Sequence, residues 1–365
     1  MRLTAEETAR AAAFFTEGIA RRVSRPVRLM EVCGTHTVAI FRSGIRQLLP
    51  ASVELVSGPG CPVCVTPNEY LDTAIAYSRR PDTIITTFGD MLKVPGSDST
   101  LMAEKARGAD IRIVYSPLES LPVARDNPGK KVIFLAVGFE TTAPTAAATV
   151  LQAEQQGLDN FLVLSAHKLV PPALQTILSA PDGKVDGFLL PGHAAAISGL
   201  EPYRFVAETY QVPAVVTGFE ALDILQAIYI LIEQLAGGKA ELANQYRRVV
   251  KPEGNPSARK ILEQVYQPAA ANWRGFGGID GSGLALRPEY RHFDAQTRLP
   301  LDNVVTREPA GCRCGEVLRG LIVPDACPHF GRSCTPEQPV GACMVSVEGA
   351  CAAWYKYGQG RWTYA

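Results

Sequence analysis

The sequence lacks several features that mark common functional classes. Its 36 basic residues are balanced by 36 acidic ones over 365 positions, so there is no net charge and no basic block to attract nucleic acid. The longest apolar run, around residues 224–235, is broken by Gln226 and Glu233 and is too short to span a bilayer. No GxxxxGK[ST] phosphate-binding motif occurs. These absences argue against a nucleic-acid-binding protein, a membrane protein and a P-loop nucleotide hydrolase.

A dinucleotide-binding fingerprint is also incomplete. The glycine-rich stretch 275–283 places Asp280 where GxGxxG requires its last glycine, and we predict no strand before it. A secretion signal is missing as well, because Glu6, Glu7 and Glu17 interrupt the apolar segment that such a signal needs. Thr4 and Glu7 instead have the spacing of a helix capping box. We therefore expect a soluble, cytoplasmic protein whose first helix begins after Thr4.

Cysteine is absent between Cys64 and Cys312 but abundant on either side of that gap. The chain holds nine cysteines, an odd number that rules out complete disulfide pairing within one chain. In a reducing compartment, such cysteines more often bind metal or perform redox chemistry than cross-link a fold. The cysteine distribution therefore predicts two separate chemical sites.

The pattern from residue 27 to about 240 is typical of an α/β fold. Short apolar runs rich in Val, Ile and Leu alternate with stretches long enough for crossover helices, as in parallel sheets covered on both faces. The eight predicted strands are 27–32, 53–56, 83–87, 111–115, 132–137, 161–164, 187–190 and 214–217. They could form one large sheet or two smaller ones.

The domain prediction places a boundary in the polar turn 125–130, and two helices at about 220–235 and 240–250. It comprises two Rossmann-like parallel-sheet domains facing a cleft, plus a small cysteine-rich C-terminal domain. The predicted limits are 1–125 and 126–240 for the α/β domains, 241–300 for a helical or irregular connection packing back on them, and 301–365 for the cysteine-rich domain.

Ionisable and thiol side chains follow the predicted strands. Ligands of open α/β sheets bind at the carboxyl ends of the strands, so these side chains are expected to line one cleft. The residues at this edge are Cys33, Cys61, Cys64, Asp90, Glu140, His167, Lys168 and His193. Each alone is more often a cap or turn residue, but their repetition predicts a site with S, N and O ligands.

Two cysteine motifs lie among these strand ends. Cys33 stands near a predicted helix N-terminus, which favours its thiolate, and His36 could hydrogen-bond to whatever Cys33 holds. Cys61 and Cys64, in a Cys-x-x-Cys arrangement, can close a disulfide or chelate a metal. A zinc site shared by Cys33, His36, Cys61 and Cys64 is the alternative to a redox-active dithiol.

A third motif occupies the C-terminal region, which has little periodicity and needs something to cross-link it. Four thiolates suit a cubane iron–sulfur cluster or zinc, and six cysteines leave two thiols beside it. The spacing matches neither zinc ribbons nor bacterial ferredoxins. The six residues are Cys312, Cys314, Cys327, Cys334, Cys343 and Cys351.

These motifs resemble those of the HypD family of NiFe hydrogenase maturation factors. The resemblance runs in order from about residue 29 to 357 through the segments 33–36, 58–64, 87–91, 138–142, 190–193, 312–315, 334–336 and 341–346. It implies two related α/β domains and a C-terminal domain with a 4Fe–4S cluster. It also implies a scaffold that assembles an Fe(CN)2CO group in a stable complex with the chaperone HypC and receives cyanide from HypE. Such a scaffold has redox activity but is not a conventional metabolic enzyme.

The resemblance also implies roles for particular residues. Cys33 would be a ligand of the nascent iron group with His36 nearby, and Cys61 and Cys64 would take part in redox steps. Glu140 and His193 are expected to line the cleft, where they bond to cyanide nitrogens or move protons.

For the cluster we expect the ligands Cys314, Cys327, Cys334 and Cys351, with Cys312 and Cys343 as a thiol pair. The alternatives from other functional classes are a cluster-dependent protein disulfide reductase and a zinc-stabilised binding protein.

Overall fold

The computed structural model describes residues 4–182, 184–302 and 304–358, so the last part of the expected C-terminal domain, 359–365, lies outside the described residues. The strands are β1 Val27–Glu31, β2 Val53–Ser57, β3 Thr83–Thr87, β4 Ile111–Ile113, β5 Lys131–Ala136, β6 Phe161–Ser165, β7 Gly187–Pro191, β8 Ala214–Thr217, β9 Leu242–Asn244, β10 Tyr266–Trp273 and β11 Gly277–Leu286.

α-Helices and short 3-10 helices connect the strands. The α-helices are α1 Ala5–Arg22, α2 Gly34–Arg42, α3 Ile45–Leu48, α4 Pro62–Val65, α5 Asn68–Ser78, α6 Leu101–Ala106, α7 Ser120–Asp126, α8 Ala143–Gln155, α9 Val170–Ser179, α10 Gly192–Ser198, α11 Arg204–Glu208, α12 Ala221–Ala236, α13 Pro256–Val265, α14 Ala295–Arg298, α15 Cys314–Leu318 and α16 Ala350–Tyr357. The 3-10 helices are Gly89–Lys93, Pro117–Glu119, Glu201–Tyr203, Pro288–Phe293, Pro324–Ala326 and Ala342–Met344. In the described part of the chain, none of these helices combines the length and apolarity needed to cross a membrane.

The α/β prediction is confirmed. All eight predicted strands form, each with ends within two residues of the expected ones, in parallel sheets covered by helices. The helix expected after Thr4 also forms, with the Thr4–Glu7 capping box in place. The continuous apolar runs arise because both faces of most of these strands are buried, β4 with its exposed Ile113 being the exception.

Two parallel sheets are present, but the predicted division of strands between them is wrong. The first sheet has the order β2-β1-β7-β8-β9 and the second the order β4-β3-β5-β6. The expected boundary at residues 125/126 lies in the last turn of α7, which connects β4 to β5 within the second sheet. Because β1 pairs with β2 on one side and with β7 on the other, the chain leaves the first sheet, builds the second and returns.

The region predicted as 241–300 also differs from expectation. The helix expected at 240–250 is replaced by β9, which extends the first sheet beside β8 and is followed by a turn that the Asn244 side chain closes on the Val250 carbonyl. A strand does precede the glycine-rich stretch, since β10 and β11 form an antiparallel hairpin. Gly275 and Gly277 supply its turn with φ angles of 82° and 76°, which favour glycine.

The cysteine-rich region packs against the rest of the chain through few but close contacts. Gly275 of the hairpin turn meets Gly315, and a β-carbon on either would overlap the α-carbon of the other. On the opposite side, Trp354 of α16 packs edge-on against Phe41 of α2, with ring centroids 5.4 Å apart. These contacts bring the C-terminal region to the carboxyl ends of the strands.

Candidate functional site

A cleft of about 750 Å³ opens between the carboxyl ends of the two sheets. Its lining includes Cys33 after β1 and His193 after β7 from the first sheet, and Asp90 after β3 and Gly138 after β5 from the second. Glu348 joins them from the C-terminal region. Of the eight residues expected at this edge, Cys33, Asp90 and His193 line the cleft, whereas Cys61, Cys64 and Glu140 do not. His167 and Lys168 line a separate cavity beside the β10–β11 hairpin.

Cys33 is held at the mouth of the cleft by its neighbouring glycines. It is the residue before α2, in extended backbone, and the next amide, Gly34 N–H, donates to the Gly60 carbonyl at 3.0 Å. Gly60 lies directly on the Cys33 backbone, because a β-carbon there would overlap the nitrogen and α-carbon of Cys33 and crowd the carbonyl carbon of Val32. Two strand-end turns thus fix the thiol between them.

Replacing Gly60 by alanine should destabilise the protein. A methyl group would collide with backbone atoms, which cannot rotate away as a side chain could, and overpacking of this kind costs about 3 kcal/mol. Urea denaturation should show the loss. Gly129→Ala is the matched control, since nothing lies within 4 Å of its added β-carbon. Equal stability of the two variants would show that the strand-end turns are not closely packed.

The thiol of Cys33 is not activated by its helix. Burial, together with the nearby Glu348 carboxylate, raises the pKa of the Cys33 thiol to about 11, although hydrogen bonds from Thr35 and from the His36 amide act in the opposite direction. The expectation of a thiolate favoured by the helix N-terminus is therefore wrong for this environment. With this pKa, Cys33 is a neutral thiol near pH 7.

The two histidines of the site differ in their access to the cleft. His36 is buried, with Nε2 donating to the Gly218 carbonyl at 3.0 Å, and burial lowers its pKa to about 4. It does not line the cleft. His193 does, and both rings stack on Phe219, with centroid distances of 4.5 Å for His36 and 3.8 Å for His193. The imidazole available to a bound group is that of His193.

Glu140 sits behind the wall of the cleft rather than on it. Its Oε1 accepts from the Val170 amide at 2.9 Å, while Oε2 is buried and has no partner among the described residues. Burial raises the pKa of Glu140 to about 7. The flanking Phe139 and Thr141 reach the cleft, so the expectation that Glu140 lines it is wrong.

Glu140→Gln should change how stability depends on pH. The raised pKa of Glu140 means that its protonated form stabilises the fold fully below about pH 4.5, the ordinary value, and that this contribution is lost as the pH rises through 7. From pH 4.5 to 8, the free energy of unfolding of Glu140→Gln should rise relative to wild type by about 3 kcal/mol. Urea denaturation across this range measures it.

The control for this pH series is Glu154→Gln, which removes an acid from the exposed face of α8. Its stability should run parallel to wild type at every pH. Parallel curves for Glu140→Gln as well would contradict the buried, protonated carboxyl.

Cys61 and Cys64 form a disulfide at the start of α4. The two residues are 3% and 0% exposed, and Cys64 Sγ lies 3.9 Å from the Ala342 carbonyl oxygen. The alternative zinc site with Cys33 and His36 is wrong for this structure, because these two sulfurs bond to each other and His36 bonds to Gly218. The arrangement favours a redox pair beside the 3-10 helix that carries Cys343.

The C-terminal thiols are close together but differ from the expected pairing. Cys314 Sγ lies 2.7 Å from Cys343 Sγ, so Cys343 contacts Cys314 and is not paired with Cys312 alone. Hydrogen bonds from the thiols of Cys312 and Cys343 lower the pKa of Cys314 well below its usual range, aided by the Arg274 guanidinium. Hydrogen bonds to Cys314 and Cys351, together with burial, raise the pKa of Cys343.

The donor set of this region fits a thiolate-bound cluster in its chemistry. Five of the six cysteines are buried, in a segment with little regular structure of its own. Burial raises the pKa of Cys334, and the neighbouring Cys351 and Cys327 raise it further. The pKa of Cys312 is raised mainly by its hydrogen bond to Cys314 and by burial, and also by Cys327, so these thiols lie near one another. Within residues 4–182, 184–302 and 304–358, however, no three His, Cys, Asp or Glu side chains are arranged to hold a single metal ion.

Sequence reasoning missed one part of the site, the segment that crosses the cleft from the C-terminal region. Ser346 donates to Asp90 Oδ2 at 3.0 Å on one wall, and Thr35 donates to Glu348 Oε1 at 2.6 Å on the other. The motif 341–346 ends two residues before Glu348. The only signal in the sequence was an acidic residue close behind a cysteine motif.

Comparisons with known proteins agree over nearly the whole length. A family model described as HypD, "Hydrogenase formation hypA family", matches residues 10–358. The chain is 45% identical over 348 residues to a protein of Rhodobacter capsulatus named hydrogenase maturation factor HypD, covering 94% of this chain and 92% of that one. It is 47% identical over 337 residues to the HypD of Escherichia coli K12, covering 92% and 90%. It is 47% identical over 345 residues to the hydrogenase expression/formation protein HupD of Azotobacter chroococcum, covering 93% and 91%.

Proposed function

The chain belongs to the HypD family and acts in hydrogenase maturation alongside other maturation proteins, and from this premise we propose that it is the scaffold on which an Fe(CN)2CO group is built. The observation that carries the proposal is the single thiol of Cys33 at the mouth of a cleft between two parallel sheets. Soft sulfur suits a low-spin iron that carries cyanide and carbonyl. Loss of the infrared bands of these ligands in Cys33→Ala is the test.

In this proposal the iron is the substrate, and partner proteins complete its surroundings. Cys33 supplies one thiolate and HypC a second, while HypE delivers cyanide in the cytoplasm. On the cleft wall, His193 is placed to donate a hydrogen bond to a cyanide nitrogen, because its ring is oriented by stacking on Phe219. Glu140, buried behind the wall, is placed to hold a proton near neutral pH.

We further propose that the C-terminal region holds a 4Fe–4S cluster through Cys312, Cys327, Cys334 and Cys351. The 2.7 Å distance between Cys314 Sγ and Cys343 Sγ supports this set, because two sulfurs in direct contact are placed to act as the separate thiol pair. A bound cluster supplies electrons one at a time.

The Cys314–Cys343 pair is well placed for exchange with the Cys61–Cys64 disulfide. Cys343 adjoins Ala342, whose carbonyl oxygen contacts Cys64 Sγ. In such an exchange the Cys314 and Cys343 thiols lose two electrons and two protons to become a disulfide, and the Cys61–Cys64 disulfide gains them to become two thiols. No external reagent is needed for this step.

A second candidate function, cluster-dependent reduction of disulfides in other proteins, would use the same cysteines. The disulfide of Cys61 and Cys64 supports thiol redox chemistry in general. It is 3% and 0% exposed, however, so it offers no surface to a protein substrate. The burial favours an internal redox pair that serves the cleft.

A further inference from the structure

The segment from Ser346 to Glu348 is part of the cleft, although it belongs to the cysteine-rich region. Ser346 is tied to Asp90 of the second sheet, and Glu348 to Thr35 at the start of α2. The Glu348 amide also donates to the Ser346 hydroxyl at 3.3 Å. The segment thus spans the cleft from one wall to the other, and Glu348 ends beside Cys33.

The approach of Glu348 to α2 depends on a glycine. A β-carbon on Gly34, the residue after Cys33, would overlap the Glu348 carbonyl oxygen and β-carbon. Backbone is therefore packed on backbone at this point. The glycine brings a carboxylate to the same cleft wall as the thiol.

The carboxylate is also oriented. The Thr35 hydroxyl donates to Oε1 at 2.6 Å, which leaves Oε2 for another partner. Glu348 lines the same cleft as Cys33 and His193. An oriented carboxylate near a thiol in an open cleft is a donor pair for a divalent cation.

We propose that Glu348 is a ligand of the incoming iron(II), acting beside Cys33 before the cyanide and carbonyl ligands are in place. This inference rests on the function proposed above. Hydrated iron(II) has oxygen ligands and accepts carboxylate as well as thiolate, whereas strong-field ligands later displace the oxygen donor. In the binding step, iron exchanges two waters for the Glu348 carboxylate and the Cys33 thiolate, and the thiol proton is released to solvent.

The proposed site does not fill the coordination sphere of the iron. Two ligands from this chain leave coordination positions free for a partner thiolate and for incoming cyanide. Charge supports the pair, since one thiolate and one carboxylate neutralise a divalent ion. Glu348 thereby gives the C-terminal region a direct part in loading the cleft.

Cobalt(II) titration of the anaerobically purified full-length chain tests the proposal. Cobalt(II) replaces iron(II) as a probe, because its thiolate charge-transfer absorption reports Cys33, read as the difference between wild type and Cys33→Ser. Glu348→Gln should weaken cobalt binding at least about tenfold, while the charge-transfer intensity at saturation is retained. Glu348→Asp, which keeps the carboxylate, should recover part of the affinity.

Two further variants separate ligation from general charge and from folding. Glu201→Gln removes an exposed carboxylate that does not line the cleft, and should change the affinity less than about threefold. Thr35→Val keeps the shape of Thr35 but releases Oε1, and should weaken binding by a few-fold. Thermal unfolding of each variant confirms that it is folded before titration.

The results distinguish this inference from the function on which it rests. If Glu348→Gln binds cobalt(II) as tightly as wild type while Cys33→Ser loses the charge-transfer band, Glu348 is not a ligand and the anchoring thiol stands. If Cys33→Ser keeps the full charge-transfer band, Cys33 is not the thiolate ligand and the proposed function fails. A Glu348→Gln effect equalled by Glu201→Gln would reduce Glu348 to a contributor of negative charge and overturn its role as a ligand.

Discussion

Cys33→Ala, purified anaerobically with HypC, is expected to lose the cyanide and carbonyl infrared bands completely. In the proposed function Cys33 supplies the anchoring thiolate from this chain, and a methyl group cannot replace it. The cluster thiols belong to a different part of the chain, so the acid-labile sulfide of the same preparation should be unchanged. Infrared spectroscopy and sulfide analysis on one sample provide the measurement and its internal control.

Cys33→Ser sharpens this test, because it keeps the size of the side chain and a hydrogen-bonding group at the cleft mouth. A hydroxyl is a poor ligand for low-spin iron, so the bands should be lost here as well. Bands of wild-type intensity in either variant would show that the iron is held elsewhere. Loss of the bands together with the sulfide would point instead to a general failure to fold.

Cys312→Ser should release the iron–sulfur cluster, whereas Cys314→Ser, two positions away, should retain it. In the proposed assignment Cys312 is a cluster ligand, whereas Cys314, whose Sγ lies 2.7 Å from that of Cys343, belongs to the thiol pair. The C-terminal region buries little apolar surface of its own, so loss of the cluster should also lower its stability strongly. Iron and acid-labile sulfide content, with thermal unfolding, measure both effects.

The two variants control for each other, since they remove the same group from the same short motif. Retention of sulfide in Cys312→Ser with loss in Cys314→Ser would restore the ligand set first expected from the sequence. Cys314→Ser should in addition leave the Cys61–Cys64 disulfide oxidised under conditions that reduce it in the wild type. Mass spectrometry after thiol alkylation follows that disulfide directly.

Local structure was largely predictable from the sequence. Parallel strands buried on both faces produce apolar runs that need no knowledge of the partner strand, and all eight were found. The capping box at Thr4 is equally local. The cleft followed from one further rule, that the ends of parallel strands share an edge.

The pairing of strands across long distances was not predictable in the same way. β1 accepts β7 as a neighbour more than 150 residues later, and nothing in either apolar run specifies this. β9 escaped detection because it is a three-residue edge strand, half-buried throughout, in a segment with a helical pattern. The apolar periodicity of a segment indicates which of its residues are buried, but it does not indicate which other strand pairs with it.

The chemistry of individual site residues depended on side chains brought from elsewhere. A helix N-terminus alone favours a thiolate at Cys33, but burial and Glu348, more than 300 residues away, raise the pKa of the thiol instead. His36 looked like a neighbour of the iron because it is close in sequence, yet it bonds to Gly218. The thiol pairing at Cys314 likewise depends on the fold of the C-terminal region.

Mössbauer spectroscopy of the chain, enriched in iron-57 and purified anaerobically with HypC, tests the central claim most directly. The account predicts two separate iron environments, a single low-spin iron in the cleft and the iron of a 4Fe–4S cluster in the C-terminal region. Cys33→Ala should remove the first and leave the second. A spectrum with one environment only, unchanged in Cys33→Ala, would contradict a cleft that anchors its own iron.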